Sequence, residues 1–196
     1  MSDVMFSPSV KAVQARRGSR ARFEAREGDW PARVSPELAE FIAAQTSFFL
    51  STASAEGQPY IQHRGGPPGF LRVLDEETLG FADFRGNRQF ITLGNLAENP
   101  KAFLFLIDYA QRRRIKLWGE ARVVEDDPAL LESLRPADYR AIPEQAILFR
   151  LRAWDVNCQQ HIPQRFEAKD VAAALAVRDR RIAALEEEVA RLTLAR

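Results

Sequence analysis

The stretch "SFFLSTASAEGQPYIQHR", residues 47–64, decides the fold class. Its two ends are short runs of aromatic and alternating apolar residues, and the turn "AEGQ" separates them. This arrangement predicts two strands joined as a β-hairpin. Further along, "GFLRVLD" and "TLGFADF" flank an acidic turn at residues 75–77 and predict a second hairpin.

The rest of the chain adds strands and short helices. "AFLFLID" is apolar almost throughout and predicts a central strand buried on both faces, while "RRRIKLWGEARVVE" alternates and "AILFRLRAWDVN" supplies a last long strand. Ser35-Pro36 and Asp127-Pro128 are typical helix starts, and another helix is predicted across "FITLGNLAE", ended by Asn99-Pro100. Six or seven hairpin-connected strands with helical inserts predict a mainly β fold, a closed or nearly closed antiparallel barrel.

The two ends of the chain differ from this barrel, which we expect over residues 36–166. Residues 1–35 are polar and arginine-rich and predict an extension with one short helix near residues 9–17. Residues 167–196 predict an amphipathic helix with seam positions at intervals of four and three. The seam consists of Val171, Leu175, Arg178, Ile182, Leu185, Val189 and Leu192. Such a seam is typical of a helix that packs on its own barrel or of a coiled coil that joins chains.

Composition excludes several classes of function. The net charge is only +1, so no overall field attracts nucleic acid or an anionic membrane. The single Cys158 excludes an intrachain disulfide and a cysteine-based zinc site, and two histidines, His63 and His161, are too few for a typical His-rich metal centre. Neither a signal peptide nor an apolar run of membrane length is visible, so we expect a cytoplasmic protein.

Familiar catalytic motifs are missing, but the residues for an anion site are present. Gln62 and Arg64 share one face of their strand, and the glycines of "GGPPG" just beyond allow a ligand to approach the backbone. The segment "DFRGNRQ" precedes a predicted helix, whose N-terminus favours anions, and Arg114 begins a later strand. Together these groups suit a phosphate monoester.

Each of these signals also has a purely structural interpretation. Arg64 could be an ordinary surface arginine, "RGN" a turn before a helix, and residues 112–114 a solvated strand edge. His63 points away from Arg64 along the strand, so we expect it to have a structural or supporting role.

The order of the segments is more specific, because it resembles the pyridoxamine 5′-phosphate oxidase-like, FMN-binding split-barrel family. The resemblance spans residues 48–124 and rests on "STASAEGQPY", "FADFRGNR", "NLAENPKAFLFL" and "IKLWGEARVV". It implies a split barrel, FMN as the cofactor, and a cofactor site shared across a two-fold homodimer. "HRGG" and "LGN" resemble an uncharacterised flavin-binding branch rather than the oxidase itself.

The resemblance also implies which residues bind the cofactor. The second strand and the segment before the mid-barrel helix would hold the phosphate and ribityl chain, and Asp83-Phe84 would lie along the ribityl chain or the ring. Arg114 would reach the ring, while Trp154, His161 and Arg165 would close the site from the partner chain. The predicted cofactor-binding set is Gln62, His63, Arg64, Asp83, Phe84, Asn87, Arg88, Gln89, Arg114, Trp154 and Arg165. No metal ligand and no catalytic residue is predicted.

Departures from the family pattern limit the functional prediction. Gln89 stands where the oxidase has a lysine, and the chain ends in "CQQHIPQRF" and heptads instead of the oxidase's arginine-leucine-x-proline, which argues against vitamin B6 as the substrate. We expect an FMN-dependent oxidoreductase that acts on an unidentified small molecule. The alternative is a non-catalytic flavin or haem module for sensing or storage, with His161 or His63 as the axial ligand of haem. A pure scaffold would explain the heptads but not the glycines beside Arg64.

Overall fold

The computed structural model describes residues 4–25, 27 and 29–194, which form six helices and seven strands. The strands are β1 (Ser47–Ala53), β2 (Pro59–Gly65), β3 (Arg72–Val73), β4 (Thr78–Phe84), β5 (Lys101–Asp108), β6 (Arg113–Val124) and β7 (Pro143–Val156). The helices are α1 (Pro8–Arg16), α2 (Arg20–Glu24), α3 (Pro36–Ala44), α4 (Ile91–Glu98), α5 (Pro128–Leu134) and α6 (Ala168–Leu194).

All seven strands belong to one antiparallel sheet, in the order β2-β1-β5-β6-β7-β4-β3. Both predicted hairpins are present. β1 pairs with β2 along their whole length, and β3 pairs with β4 although β3 has only two residues. The prediction of a mainly β, antiparallel split-barrel fold with helical inserts and a C-terminal helix is therefore confirmed.

Two of the inserted helices begin at the predicted capping residues. Ser35 Oγ accepts a hydrogen bond from the backbone N–H of Leu38 at 3.2 Å, and Asp127 Oδ1 accepts one from Leu130 at 2.8 Å. Each contact satisfies one of the N–H groups that the first turn of a helix leaves free. α4 differs, because its N-cap residue is Phe90 and no side chain caps it.

The prediction that "AFLFLID" is buried on both faces is wrong. Burial alternates along β5, and Phe103 and Phe105 are only partly buried. The strand buried on both faces is β4, where Phe81 packs in the main core and Ala82 packs in a second cluster with Leu134 of α5. The reason is that α5 covers the second face of β4, and the sequence of a strand does not show which face a distant helix will cover.

β6 follows its predicted alternation and bends once. Its register against β7 shifts between Trp118 and Gly119. A Cβ atom at residue 119 would lie 2.2 Å from the carbonyl oxygen of Arg150 and 2.5 Å from the ring of Phe149. Glycine is therefore required here by the close approach of the neighbouring strand rather than by a left-handed conformation.

The chain divides into two compact units. The first contains the described residues within 1–107 and 114–158, and the second contains 108–113 and the described part of 159–196. In the second unit, Arg112 Nε donates to the carbonyl of Ile162 at 3.1 Å and Gln164 Nε2 donates to the carbonyl of Ala110 at 2.9 Å. The predicted boundaries at residues 35 and 166 stay a prediction.

α6 is rich in alanine, the strongest helix former, and none of its 27 residues is buried. Its seam residues are among the exposed large apolar side chains of the chain. No helix in the described ranges combines the length and the apolar character needed to span a membrane.

Candidate functional site

The ends of β2 and β4 meet through side chains. The two strands are not neighbours in the sheet, since β2 forms one edge and β4 lies beside the other. Arg64 Nη1 nevertheless forms an ion pair with Asp83 Oδ1, and Gln145 Nε2 of β7 donates to Asp83 Oδ2 at 2.6 Å. The carboxylate of Asp83 therefore links three strands, and here the sheet is closed by polar side chains instead of a backbone ladder.

Two further hydrogen bonds fix the start of α4 against the first hairpin. Thr92 Oγ1 donates to Gln62 Oε1 at 2.9 Å, and Asn95 Nδ2 donates to Thr52 Oγ1 at 3.0 Å. Thr92 is buried, so its hydroxyl needs this partner. The helix N-terminus is thus held beside the strand face that carries Gln62.

These contacts border an open cleft between β2, the segment that follows β4, and the first turn of α4. Most of the residues that we expect to bind a cofactor line this cleft. They are Gln62, Arg64, Asp83, Phe84, Asn87, Arg88 and Gln89. The structure therefore brings together residues from two segments that lie about twenty positions apart in the chain, and their role as ligands of a cofactor stays a prediction.

The backbone before α4 adopts an unusual conformation. Arg88 has a φ of 58° and Phe90 a φ of 55°, a left-handed region that non-glycine residues seldom occupy. Asn87 Oδ1 accepts a hydrogen bond from the N–H of Gln89 at 3.3 Å and supports this turn. As a result α4 begins at the wall of the cleft with no side chain on its first N–H groups. Local strain of this kind is frequent at ligand sites.

Charge in the cleft is arranged as close pairs. The side chains of Arg64 and Asp83 are 12% and 5% exposed, and burial lowers the pKa of Arg64 and raises the pKa of Asp83. Burial thus opposes the charge on both groups, and each ion is held mainly by its partner. Nε of Arg64 is buried and has no hydrogen-bond partner within the described residues. On the opposite wall, Glu144 accepts from Arg85 Nε at 2.9 Å and lies 3.8 Å from Nε of Arg88.

The other predicted site residues lie elsewhere. His63 faces away from the cleft, and its ring centroid is 5.6 Å from that of Phe49. Trp154 packs against the main core and donates from Nε1 to the carbonyl of Arg33 at 2.9 Å. Arg114 lies on the face of β6 opposite the core-facing residues. Arg165 belongs to the second unit, where its guanidinium lies 4.7 Å from the ring centroid of Tyr109.

Several residues that line the cleft were not predicted. Tyr60 shares its strand face with Gln62 and Arg64, so the alternation of β2 could have identified it. Glu144 and Gln145 reach the cleft because β7 pairs with β4, with Gln145 opposite Asp83. No local pattern predicts a pairing between segments separated by sixty residues.

The chemistry that the cleft offers is that of an anion site. It combines two guanidinium groups, side-chain amides and the N-terminus of a helix, which carries a partial positive charge. Within the described ranges, no group of three or more His, Cys, Asp or Glu side chains is placed to hold a metal ion.

Comparisons with known proteins agree with this architecture. HupZ from Group A Streptococcus is 17% identical with a TM-score of 0.52, and the match covers 68% of this chain and 99% of HupZ. A histidine-to-alanine variant of HupZ is 16% identical with a TM-score of 0.51, and the match covers 63% of this chain and 99% of that one. A putative pyridoxamine 5′-phosphate oxidase from Lactobacillus delbrueckii is 18% identical with a TM-score of 0.49, over 63% and 94% of the two chains. At these identities the two HupZ matches show the fold alone.

Sequence comparison places the chain in a family. No protein of curated function matches the chain at a significant level. The family model described as pyridoxamine 5′-phosphate oxidase matches residues 34–161, which is well over half of the chain and includes every strand and the whole cleft. On this match, together with the split-barrel fold, the chain belongs to the pyridoxamine 5′-phosphate oxidase family.

Proposed function

We propose that the chain is a flavoprotein that binds FMN in the cleft between β2 and α4. The observation that carries this proposal is the uncapped N-terminus of α4, which meets two guanidinium groups in one cleft. Helix N-termini and arginines are the groups that bind phosphate most readily in proteins. Family membership supports a flavin as the molecule that carries this phosphate.

Different residues of the cleft would bind different parts of FMN. Arg88 is 60% exposed and can turn from Glu144 towards a phosphate beside the first N–H groups of α4. Gln62 is held by Thr92 and can present its amide N–H groups to hydroxyls of a ribityl chain. Arg64 lines the cleft and has one buried Nε without a partner among the described residues, so a turn of its guanidinium would direct an unused N–H towards a ligand.

A bound flavin would supply hydride or electron transfer, and we propose an oxidoreductase that acts on a small molecule. The protein would bind and orient the cofactor and exclude water from it. We also propose that the site is completed by a second copy of the chain. Trp154, which the resemblance assigns to the partner's site, does not line the cleft of its own chain, and this is compatible with a shared site.

The first experiment is an absorption spectrum of the purified protein, with mass spectrometry of what heat releases. A colourless protein that does not quench the fluorescence of added FMN would refute the proposal. If flavin is bound, anaerobic photoreduction followed by oxygen tests for turnover. Gel filtration with light scattering tests the dimer, and a monomer that binds FMN fully would overturn a shared site.

A comparison of FMN with riboflavin isolates the contribution of the phosphate. Loss of a charge-assisted contact lowers affinity roughly ten- to hundredfold. We therefore expect Arg88→Gln to lower the affinity for FMN by that factor and the affinity for riboflavin hardly at all. Glu144→Gln removes a negative charge from the cleft and should raise the affinity for FMN severalfold. Arg122→Gln, at an exposed site on β6 outside the cleft, is the matched control. Equal effects of Arg88→Gln on both ligands would place the phosphate elsewhere.

The haem alternative makes an opposite prediction. It requires His161→Ala to abolish cofactor binding while Arg64→Ala leaves it intact, whereas FMN binding requires the reverse. Neither histidine lines the cleft, so the geometry favours FMN.

A further inference from the structure

Helix α6 presents an apolar seam along its whole length. Its large apolar seam residues are between 41% and 61% exposed, and no residue of the helix is buried. At about 1.5 Å per residue, the 27 residues extend for roughly 40 Å. A helix of this length with such a seam is stabilised by covering it, because exposed apolar stripes on helices are the faces that pack.

From Ile182 onwards the seam residues fall on two heptad positions that differ in side-chain shape, whereas before it Leu175 lies at position a and Val171 at position d. Taking Ile182 as position a makes Val189 the next a position, and both are β-branched. The d positions that follow them are Leu185 and Leu192. β-branched residues at a with leucine at d favour parallel, two-stranded coiled coils over other assemblies.

The charges beside the seam agree with this alignment. In a parallel, in-register pair, position g of one helix lies beside position e of the next heptad on the other helix. Arg181 at g then meets Glu186 at e of the second copy, and the two-fold axis creates this pair twice. An antiparallel pair sets e beside e. In the antiparallel alignment that retains most of the seam, acidic Asp179 would lie beside acidic Glu186 and Arg181 beside Glu188. Repulsive and attractive contacts would then offset one another, whereas the parallel pair gains the attractive contact alone.

Arg178 is the one charged residue of the seam and fits the same arrangement. It occupies position d, and Asp179 follows it at position e. In a parallel pair the e residue of one helix borders the d layer of the other, so the guanidinium can extend along its apolar stem to the partner's carboxylate. A charged seam residue lowers stability but opposes shifts of register, since a one-heptad slip would bury the arginine against Leu185.

We propose that α6 is an interaction surface for α6 of a second copy of this chain, as a parallel, in-register, two-stranded coiled coil. The occupant is another copy rather than an unrelated helix, because the seam and its flanking charges are complementary to themselves. This proposal does not depend on flavin binding.

Disulfide trapping of the full-length chain tests the orientation. Cys158→Ser removes the native thiol, and Leu192→Cys then places one thiol in the seam. Only parallel, in-register helices bring two copies of residue 192 together, so we expect rapid crosslinking under mild oxidation. Ala190→Cys, at position b on the outer face, is the matched control, and crosslinking as fast as that of Leu192→Cys would refute the proposal. Preferential crosslinking of Leu192→Cys to a Leu175→Cys chain would show an antiparallel pair and refute it as well.

A charge reversal tests the flanking pairs without changing the seam. Surface ion pairs contribute little singly, so converting both Arg181–Glu186 contacts to repulsive ones should slow crosslinking about tenfold. Arg181→Glu combined with Glu186→Arg should restore the rate, while Arg180→Glu at position f should leave it unchanged. Equal rates for Arg181→Glu and Arg180→Glu, or no recovery in the double variant, would overturn the proposed alignment.

Discussion

The ion pair between Arg64 and Asp83 makes a quantitative prediction about stability. Replacing Arg64 by leucine leaves the carboxylate of Asp83, whose side chain is 5% exposed, with only the amide of Gln145 as a donor. Breaking a buried ion pair from one side costs about 3–5 kcal/mol. Because the pair borders an open cleft that admits water, we expect Arg64→Leu to lower the free energy of unfolding by about 3 kcal/mol at neutral pH, at the low end of that range.

Replacing the other partner of the ion pair should lower the free energy of unfolding by less. Asp83→Leu leaves Arg64, whose side chain is 12% exposed at the cleft wall, with access to water, so we expect a loss of about 1–2 kcal/mol. Replacing both residues by leucine removes both buried charges together. Its loss should therefore be smaller than the sum of the single losses by at least about 1 kcal/mol, which a double-mutant cycle measures.

The loss of unfolding free energy in Arg64→Leu should also depend on pH, and it should become smaller as the pH falls. Burial raises the pKa of Asp83 above its unfolded value, and removing the cation raises it further. In the window between the unfolded and folded pKa values the native state binds more protons, so its stability increases as the pH falls. The deficit against the parent protein should therefore be smaller near pH 5 than near pH 8.

Urea unfolding followed by tryptophan fluorescence at these two pH values measures all four proteins of the cycle. The chain has three tryptophans to report on unfolding. A deficit for Arg64→Leu that is unchanged or larger at the lower pH would refute the account of Asp83 as a buried, charged carboxylate. Additive single losses would show that the two side chains do not stabilise each other.

Three further substitutions test the packing and the helix starts. Gly119→Ala should destabilise the fold by more than about 3 kcal/mol, since the new methyl group would lie 2.2 Å from the carbonyl oxygen of Arg150; an unchanged urea midpoint would contradict this. Gly94→Ala, at an exposed helical site with nothing within 4 Å, should instead stabilise the protein by up to about 1 kcal/mol in the same assay. Ser35→Ala removes the cap on the N–H of Leu38 and should cost about 1 kcal/mol, whereas Ser35→Asp should retain most of the stability.

Local features of the fold could be predicted from the sequence because their physical causes are local. Ser35 and Asp127 begin helices with their own side chains, and the hairpin of β1 and β2 joins segments separated by one short turn. The seam of α6 likewise depends only on the spacing of residues along one helix. Each of these features is set by residues within a few positions of one another.

The features that could not be predicted depend on distant segments. Gln145 reaches Asp83 only because β7 pairs with β4, and β4 is buried on both faces only because α5 packs over it. The left-handed conformation of Phe90 was also unexpected, because an aromatic residue gives no sign of a positive φ. The candidate site is therefore predicted where β2 and the segment before α4 supply it, and is missed where β7 completes it.

The charges of the cleft explain why its ligand must be recognised by geometry. Arg64 lies against Asp83, and Glu144 contacts both Arg85 and Arg88, so these five ionised groups sum to only one positive charge. Long-range attraction for an anion is therefore weak, and affinity has to come from short contacts with groups that are already oriented. The first turn of α4 is such a group, because the bonds from Thr92 and Asn95 fix the helix against the hairpin. A compact dianion fits this arrangement better than a diffuse negative surface, since only a compact ligand can contact the helix N-terminus and displace Arg88 from Glu144 at the same time.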